Sequence, residues 1–322
     1  PTGIDKEGND RTAVCCLSSL NLEKYDEWKD DKNFIKDIMR FLDNVLSDFI
    51  EKAPEEFKDA TYSALRERSV GLGVMGFHSF LQQKMVPIES VMSKVWNKKI
   101  FEHIQKEVDQ ASKDLAEERG ACPDAADYGI SERFSNKTAI APTASISIIC
   151  GGTSPGIEPI AANSYTHKTL SGSFNVRNKY LAKILEKNKK NDDDTWSSIT
   201  TNEGSVSHLD FLSQQEKEVF KTAFEIDQKW IVELGADRTP HISQAQSVNI
   251  FVPADIHKKE LHQIHFQAWK KGLKSLYYCR SKSIQRAENI NSGSSTDVTK
   301  NVYNSESDKS NQGDYEECLS CQ

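Results

Sequence analysis

The 322-residue chain is polar for its size, with 28% charged and 37% hydrophobic residues. Its formal net charge of −7 gives no basic footprint, which argues against nucleic-acid binding as the main activity, and no apolar run reaches the length of a membrane span. Seven cysteines, an odd number, in a chain of this length and without a secretory signal segment fit a reducing cytoplasm better than a disulfide scaffold.

Apolar periodicity predicts strands alternating with helices through the first half of the chain. Residues 13–22 form a short strand, and residues 34–50 carry apolar side chains at three- and four-residue spacing, which is typical of an amphipathic helix. Further helices are expected at 59–66 and at 100–115, where Gly120 is the expected C-terminal cap.

Three glycines, Gly71, Gly73 and Gly76, punctuate the small apolar segment 69–80 in Gly-x-Gly-x-x-Gly spacing. That spacing resembles a dinucleotide-binding fingerprint, which needs a strand before it and an acidic residue about twenty positions later. Here the preceding segment is charged and Glu89 is too near. The pattern therefore favours a strand whose glycines allow close backbone packing.

The second half continues the alternation, which indicates an α/β fold. From residue 287 the composition changes to Asn, Ser, Asp, Glu and Lys, typical of a disordered tail. The expected elements are helices at 179–185 and 215–234, a solvated loop at 188–194, strands at 246–252 and 276–279, and between those strands a helix that begins after Pro253.

Two adjacent tyrosines, Tyr277 and Tyr278, lie in the last predicted strand. Strand alternation would place their rings on opposite faces, as ordinary packing residues of a half-buried strand. Alternatively, the neighbouring phenols hydrogen-bond and pass an oxidising equivalent from one to the other.

The segment APTASISIICGG gathers the hydroxyls of Thr143, Ser145 and Ser147 beside Gly151 and Gly152. Hydroxyls and backbone N–H groups at the start of a helix make a phosphate site. The plainer interpretation is a strand and turn rich in Ser and Thr.

The cysteines fall into different classes. Cys15 and Cys16 are adjacent, and both would be small buried residues if they only packed. Cys318 and Cys321 form a Cys-x-x-Cys pair in the tail. A zinc site would need a second pair of ligands, and a thioredoxin-like motif would need a βαβ context, so a tethered dithiol shuttle fits best. No metal site is expected; Cys122, Cys150 and Cys279 are interpreted as structural.

Four segments in order resemble the large subunit of class I ribonucleotide reductase, in its C-terminal part: AVCCLSSLNL, APTASISIICGGTSPGIEP, WKKGLKSLYYCR and the terminal Cys-x-x-Cys. The resemblance implies the second half of a ten-stranded α/β barrel. Residues 1–286 would supply that half barrel, with a helical insertion at about 176–240, and residues 287–322 a flexible redox tail.

The resemblance also implies roles for single residues. Thr143, Ala144 and Ser145 would hold the diphosphate of a ribonucleoside diphosphate, although Ile146 stands where many relatives have another hydroxyl. Cys15 would be one half of the cysteine pair that reduces the substrate, with Cys16 a packing residue. The resemblance implies catalytic roles for four further residues. Tyr277 and Tyr278 would form the radical relay, and Cys318 and Cys321 would form the dithiol shuttle of the tail.

In the family, a thiyl radical takes the 3′ hydrogen, a carboxylate acts as base, and the 2′ hydroxyl leaves as water. The Asn-x-Cys-x-Glu segment that carries the radical cysteine and the base is absent from these 322 residues. The expected partners are an N-terminal part of the large subunit, a small subunit whose metal centre generates the radical, and thioredoxin or glutaredoxin; no cofactor is expected on this chain itself. The competing hypotheses are a non-catalytic barrel scaffold and a stand-alone dithiol oxidoreductase.

Overall fold

A computed structural model describes residues 3–169 and 172–281. Helices surround a set of parallel strands, as an α/β fold requires. The strands are β1 (Gly3–Ile4), β2 (Asp10–Arg11), β3 (Leu17–Asn21), β4 (Gly71–Met75), β5 (Ser164–Thr169), β6 (Gly172–Arg177), β7 (Ile250–Val252) and β8 (Cys279–Ser281). The helices are α1 (Tyr25–Trp28), α2 (Phe34–Lys52), α3 (Lys58–Glu67), α4 (Phe77–Gln83), α5 (Val91–Arg119), α6 (Pro123–Ala126), α7 (Ala144–Ile149), α8 (Lys179–Lys187), α9 (Asp193–Thr201), α10 (Gln214–Val219), α11 (Gln228–Arg238) and α12 (Lys258–Lys270).

The parallel strands follow one another around the sheet in chain order. β3 pairs with β4, and Leu72 of β4 bridges to Thr138. Ile140 then bridges to Gln246, at the start of the segment that leads into β7, and β7 pairs with β8. Helices fill most of the connections, which is the usual way to join parallel neighbours.

The glycines of β4 allow close packing, as the sequence predicts. A Cβ on Gly73 would lie 2.2 Å from the carbonyl oxygen of Ala139, and one on Gly71 would lie 2.3 Å from Leu17 Cδ2. All five residues of β4 are buried. The Gly-x-Gly spacing therefore serves contact between neighbouring strands.

The predicted amphipathic helices pack on the sheet. In α2 the residues Ile35, Met39, Leu42 and Leu46 are buried in the main core, whereas Val45, part of the predicted apolar stripe, is 42% exposed. Helix α5 begins earlier than predicted and ends where expected, with Gly120 as its C-cap.

The single helix predicted at 215–234 is wrong. The chain forms α10 and α11 instead, with residues 220–227 between them. Ser213 and Glu216 make a capping box at the start of α10, and the Asp227 side chain accepts from the backbone N–H of Lys229 at the start of α11. Each new cap begins a new helix, because it satisfies backbone donors that a continuous helix would bond internally.

Residues 179–220, which include α8, α9 and α10, have a core of their own. Trp196, Leu181, Ile199 and Phe220 are buried in a cluster apart from the main core. The predicted insertion, residues 176–240, spans this cluster and also α11, whose Ile231 packs in the main core instead. Its boundaries stay a prediction.

A hairpin and the start of helix α9 differ from the sequence prediction. β5 and β6 form an antiparallel hairpin just before α8. The loop predicted at 188–194 is shorter than expected, because helix α9 begins at Asp193. Asp192 caps this helix: its side chain accepts from the backbone N–H of Thr195. Within residues 3–169 and 172–281, no helix combines the length and the apolar character needed to cross a membrane.

Candidate active site

A cleft of about 450 Å³ opens where the parallel strands converge. Cys15 and Tyr277, two of the predicted catalytic residues, both line it, together with Pro142 from the predicted phosphate segment. These residues lie far apart in the sequence, and parallel pairing brings their strand ends together. Most of the lining residues come just before β3, β4, β7 and β8, so the cleft lies at the amino ends of these strands.

The two adjacent cysteines have different environments. Cys15 is exposed at the cleft, whereas Cys16 is 7% exposed and its thiol lies 3.8 Å from the carbonyl oxygen of Leu42. Burial raises the pKa of Cys16, which disfavours its thiolate. Cys16 therefore packs, as expected, and Cys15 is the accessible thiol of the two; its catalytic role stays a prediction.

The tyrosine pair is not placed as a regular strand would place it. The ring centroids of Tyr277 and Tyr278 are 4.1 Å apart and the phenol oxygens 3.4 Å apart. The strand begins only at Cys279, so the predicted strand 276–279 is wrong in its start. With 39% and 50% of their surfaces exposed, the two side chains are not core residues. The structure thus excludes opposite faces and brings the phenols together.

The predicted phosphate segment forms a short helix rather than a strand and turn. Thr143 precedes α7 in a left-handed conformation (φ 56°), and its Oγ1 accepts from the N–H of Gly156 at 2.7 Å. A hydroxyl that accepts can still donate its own hydrogen. Ala144 and Ser145 form the exposed first turn, where a helix has N–H groups without acceptors inside the helix.

Two polar residues near the tyrosines, Asn249 and Glu158, were not predicted from the sequence. Asn249 is 1% exposed; its Nδ2 donates to Glu158 Oε2 at 2.6 Å, and its Oδ1 accepts from the backbone N–H of Tyr278 at 3.0 Å. Burial raises the pKa of Glu158, while the Asn249 hydrogen bond and the charge of Arg280 act in the opposite direction. An Asn between apolar residues in QSVNIFV was the available signal.

The remaining predicted residues lie elsewhere. Cys122 is buried, as a structural cysteine should be, but Cys150 and Cys279 are exposed, so burial does not support that interpretation for them. Cys318 and Cys321 fall outside the described residues.

The chain matches the model of a known protein family. Residues 4–132 and 124–279 match the family described as "Ribonucleotide reductase, barrel domain". The chain belongs to this family. The expectation of an α/β reductase barrel is thereby confirmed.

Relatives of this reductase family agree over most of the chain. The large subunit of ribonucleoside-diphosphate reductase from Invertebrate iridescent virus 6 is 53% identical over 286 residues, which is 88% of this chain and 30% of the relative. The same subunit from Invertebrate iridescent virus 3 is 46% identical, over 89% of this chain and 46% of the relative. The chain therefore spans less than half the length of these relatives.

A solved structure is similar as well. The Actinobacillus ureae class Id ribonucleotide reductase alpha subunit aligns with a TM-score of 0.78 and 39% identity, over 84% of this chain and 50% of that one. The similarity extends over most of this chain.

Proposed function

We propose that these residues form the C-terminal part of the catalytic subunit of ribonucleotide reductase, which reduces ribonucleoside diphosphates for DNA precursor synthesis. One observation carries the proposal: Cys15 and Tyr277 line a single cleft. A cysteine reductant and a tyrosine radical relay are both needed at one substrate, and a scaffold would require neither there.

Cys15 would supply reducing equivalents to the substrate. With a second cysteine it gives up two electrons and two protons in forming a disulfide, while the 2′ hydroxyl leaves as water and C2′ gains hydrogen. The second cysteine, the radical cysteine and the carboxylate base would come from sequence outside these 322 residues. The exposure of Cys15 at the cleft supports this role.

Thr143, Ala144 and Ser145 would bind the substrate diphosphate. The Thr143 hydroxyl and the N–H groups of the first turn of α7 are donors that suit phosphate oxygens. Pro142, the residue before Thr143, lines the same cleft as Cys15 and Tyr277, which supports a phosphate site near that cleft.

The partners follow from the same chemistry. Tyr277 and Tyr278 would receive the oxidising equivalent from a separate small subunit whose metal centre generates the radical. Cys318 and Cys321 would reduce the active-site disulfide and be reduced in turn by thioredoxin or glutaredoxin. A tail of this length spans roughly 30–35 Å as a random coil, enough to reach a cleft from the surface. A cytoplasmic location, where such thiols stay reduced, belongs to the same proposal.

The test is a reductase assay of the catalytic subunit that contains these residues, with the small subunit, a ribonucleoside diphosphate and dithiothreitol. Cys15→Ser is expected to abolish multiple turnover, because serine cannot form the disulfide. Substrate affinity, measured by equilibrium binding, is expected to be unchanged.

Cys122→Ala is the matched control, since Cys122 is completely buried away from the cleft. It is expected to lower thermal stability slightly and leave turnover intact. Full turnover by Cys15→Ser would contradict the proposed role of Cys15, and no deoxyribonucleotide product from the unaltered complex would contradict the proposed function as a whole.

A further inference from the structure

The hydrogen bonds between β7 and β8 slip by one residue at the tyrosine pair. Ile250 pairs with Cys279, and the N–H of Ile250 donates to the carbonyl oxygen of Tyr278 at 3.0 Å, as a regular parallel ladder requires. Continued two residues back, the same ladder would have the carbonyl oxygen of Val248 accept from Tyr278. Instead, it accepts from the N–H of Tyr277 at 2.9 Å.

The slip explains why the two rings meet. Regular alternation would turn neighbouring side chains to opposite faces, yet the rings of Tyr277 and Tyr278 are 4.1 Å apart. An extra residue in one strand breaks the alternation locally and re-aims side chains, in the manner of a β-bulge.

Because of the slip, the N–H of Tyr278 does not bond to the carbonyl oxygen of Val248. The side chain of Asn249 takes the place of that acceptor. The side-chain oxygen of Asn249 accepts from that N–H at 3.0 Å. Its amide nitrogen donates to Glu158 Oε2 at 2.6 Å, which fixes the rotation of the amide. Since Asn249 is 1% exposed, water cannot easily substitute for either bond.

We propose that Asn249, anchored by Glu158, is the positioning residue of the tyrosine pair: it holds the slipped Tyr278 backbone and thereby keeps both phenols on one side. Neither residue touches the substrate in this role. The effect on turnover rests on the proposed function, whereas the effect on ring geometry does not.

The test substitutes Asn249, alone and together with Glu158, in the complete catalytic subunit. Asn249→Asp keeps the acceptor for Tyr278 but sets two carboxylates against each other. We expect the rings to separate in a crystal structure, and kcat to fall at least about tenfold with KM unchanged. The double variant Glu158→Gln with Asn249→Asp reverses the donor and the acceptor and restores both bonds, so ring contact and kcat should recover.

A second variant, Asn249→Ser, removes both bonds without adding charge and should separate the rings in the same way. Asn97→Ser is the matched control, because Asn97 is also a buried amide that uses both ends: its nitrogen donates to the carbonyl oxygen of Leu234 and its oxygen accepts from Arg238. It should lower stability without moving the tyrosines.

Unchanged ring contact in both Asn249 variants would overturn the proposal, and so would a double variant in which neither ring contact nor kcat recovers. If the unaltered subunit shows no reductase activity, the proposed function fails, and the crystal structures still decide whether Asn249 positions the rings.

Discussion

At the scale of single residues, the tyrosine pair is the least ordinary feature of the molecule. Packing would favour burying two aromatic rings, yet Tyr277 and Tyr278 remain 39% and 50% exposed while touching each other. The guanidinium of Arg280 lies 5.2 Å from the centre of the Tyr278 ring. Because the pair is exposed, another chain can reach it, as the proposed path from a small subunit requires.

Replacing either tyrosine with Phe should abolish turnover in the assembled enzyme. Phe keeps the ring and most of its packing but lacks the O–H that loses a proton and an electron together. Substrate affinity and melting temperature should stay close to those of the unaltered enzyme. Assays of reductase activity, substrate binding and thermal unfolding would test this prediction. Normal turnover in either variant would contradict the relay role and leave packing as the role of the pair.

The sequence could propose candidate catalytic residues but not their neighbours. Cys15 and the tyrosines were predictable because the resemblance rests on short motifs that contain them. The slip at Tyr278 was not, because it depends on which carbonyl a distant strand presents. Asn249 and Glu158 were missed for the same reason: they lie 91 positions apart, and neither forms a local motif with the other.

At the scale of elements, periodicity predicted the existence of helices better than their ends. α2 and α5 were predictable because long apolar stripes face one core. The false helix at 215–234 arose because apolar spacing continues across residues 220–227. The caps at Ser213 and Asp227 were present in the sequence and would have separated α10 from α11.

Gly73→Ala tests the contact between β4 and its neighbour. The added Cβ would lie 2.2 Å from the carbonyl oxygen of Ala139, so backbone must move, which we expect to cost about 1–3 kcal/mol or more. Chemical denaturation of the complete subunit would measure the loss.

Gly235→Ala, within helix α11, is the control, because its Cβ would meet side-chain atoms and no backbone: Leu273 Cδ2 at 3.2 Å and Val248 Cγ2 at 3.6 Å. A loss at Gly73 no larger than that at Gly235 would show that β4 tolerates a side chain there.

At the scale of the whole molecule, the described residues leave apolar and hydrogen-bonding surface uncovered. Among residues 3–169 and 172–281, no strand pairs with the outer edge of β3 or of β8. Helix α7 exposes three isoleucines, and Ile149 among them is 82% exposed. Open strand edges and apolar patches invite another segment of protein.

Residues 1–322 expressed alone should therefore aggregate or self-associate. Co-expression with a polypeptide that carries the Asn-x-Cys-x-Glu segment should yield a soluble complex with a large apolar interface, like a domain core cut in two. Co-purification and light scattering would measure this, followed by the reductase assay. A well-behaved monomer that reduces substrate unaided would contradict it.

The slip beside Asn249 also sets stability against activity. A regular ladder between β7 and β8 would give Tyr278 a backbone partner and remove the need to bury a carboxylate and an amide for its sake. Changes that make this sheet more regular would therefore be expected to raise the melting temperature while separating the phenols. Selection for thermostability alone would act against the proposed radical path, and selection for turnover would preserve the irregular sheet.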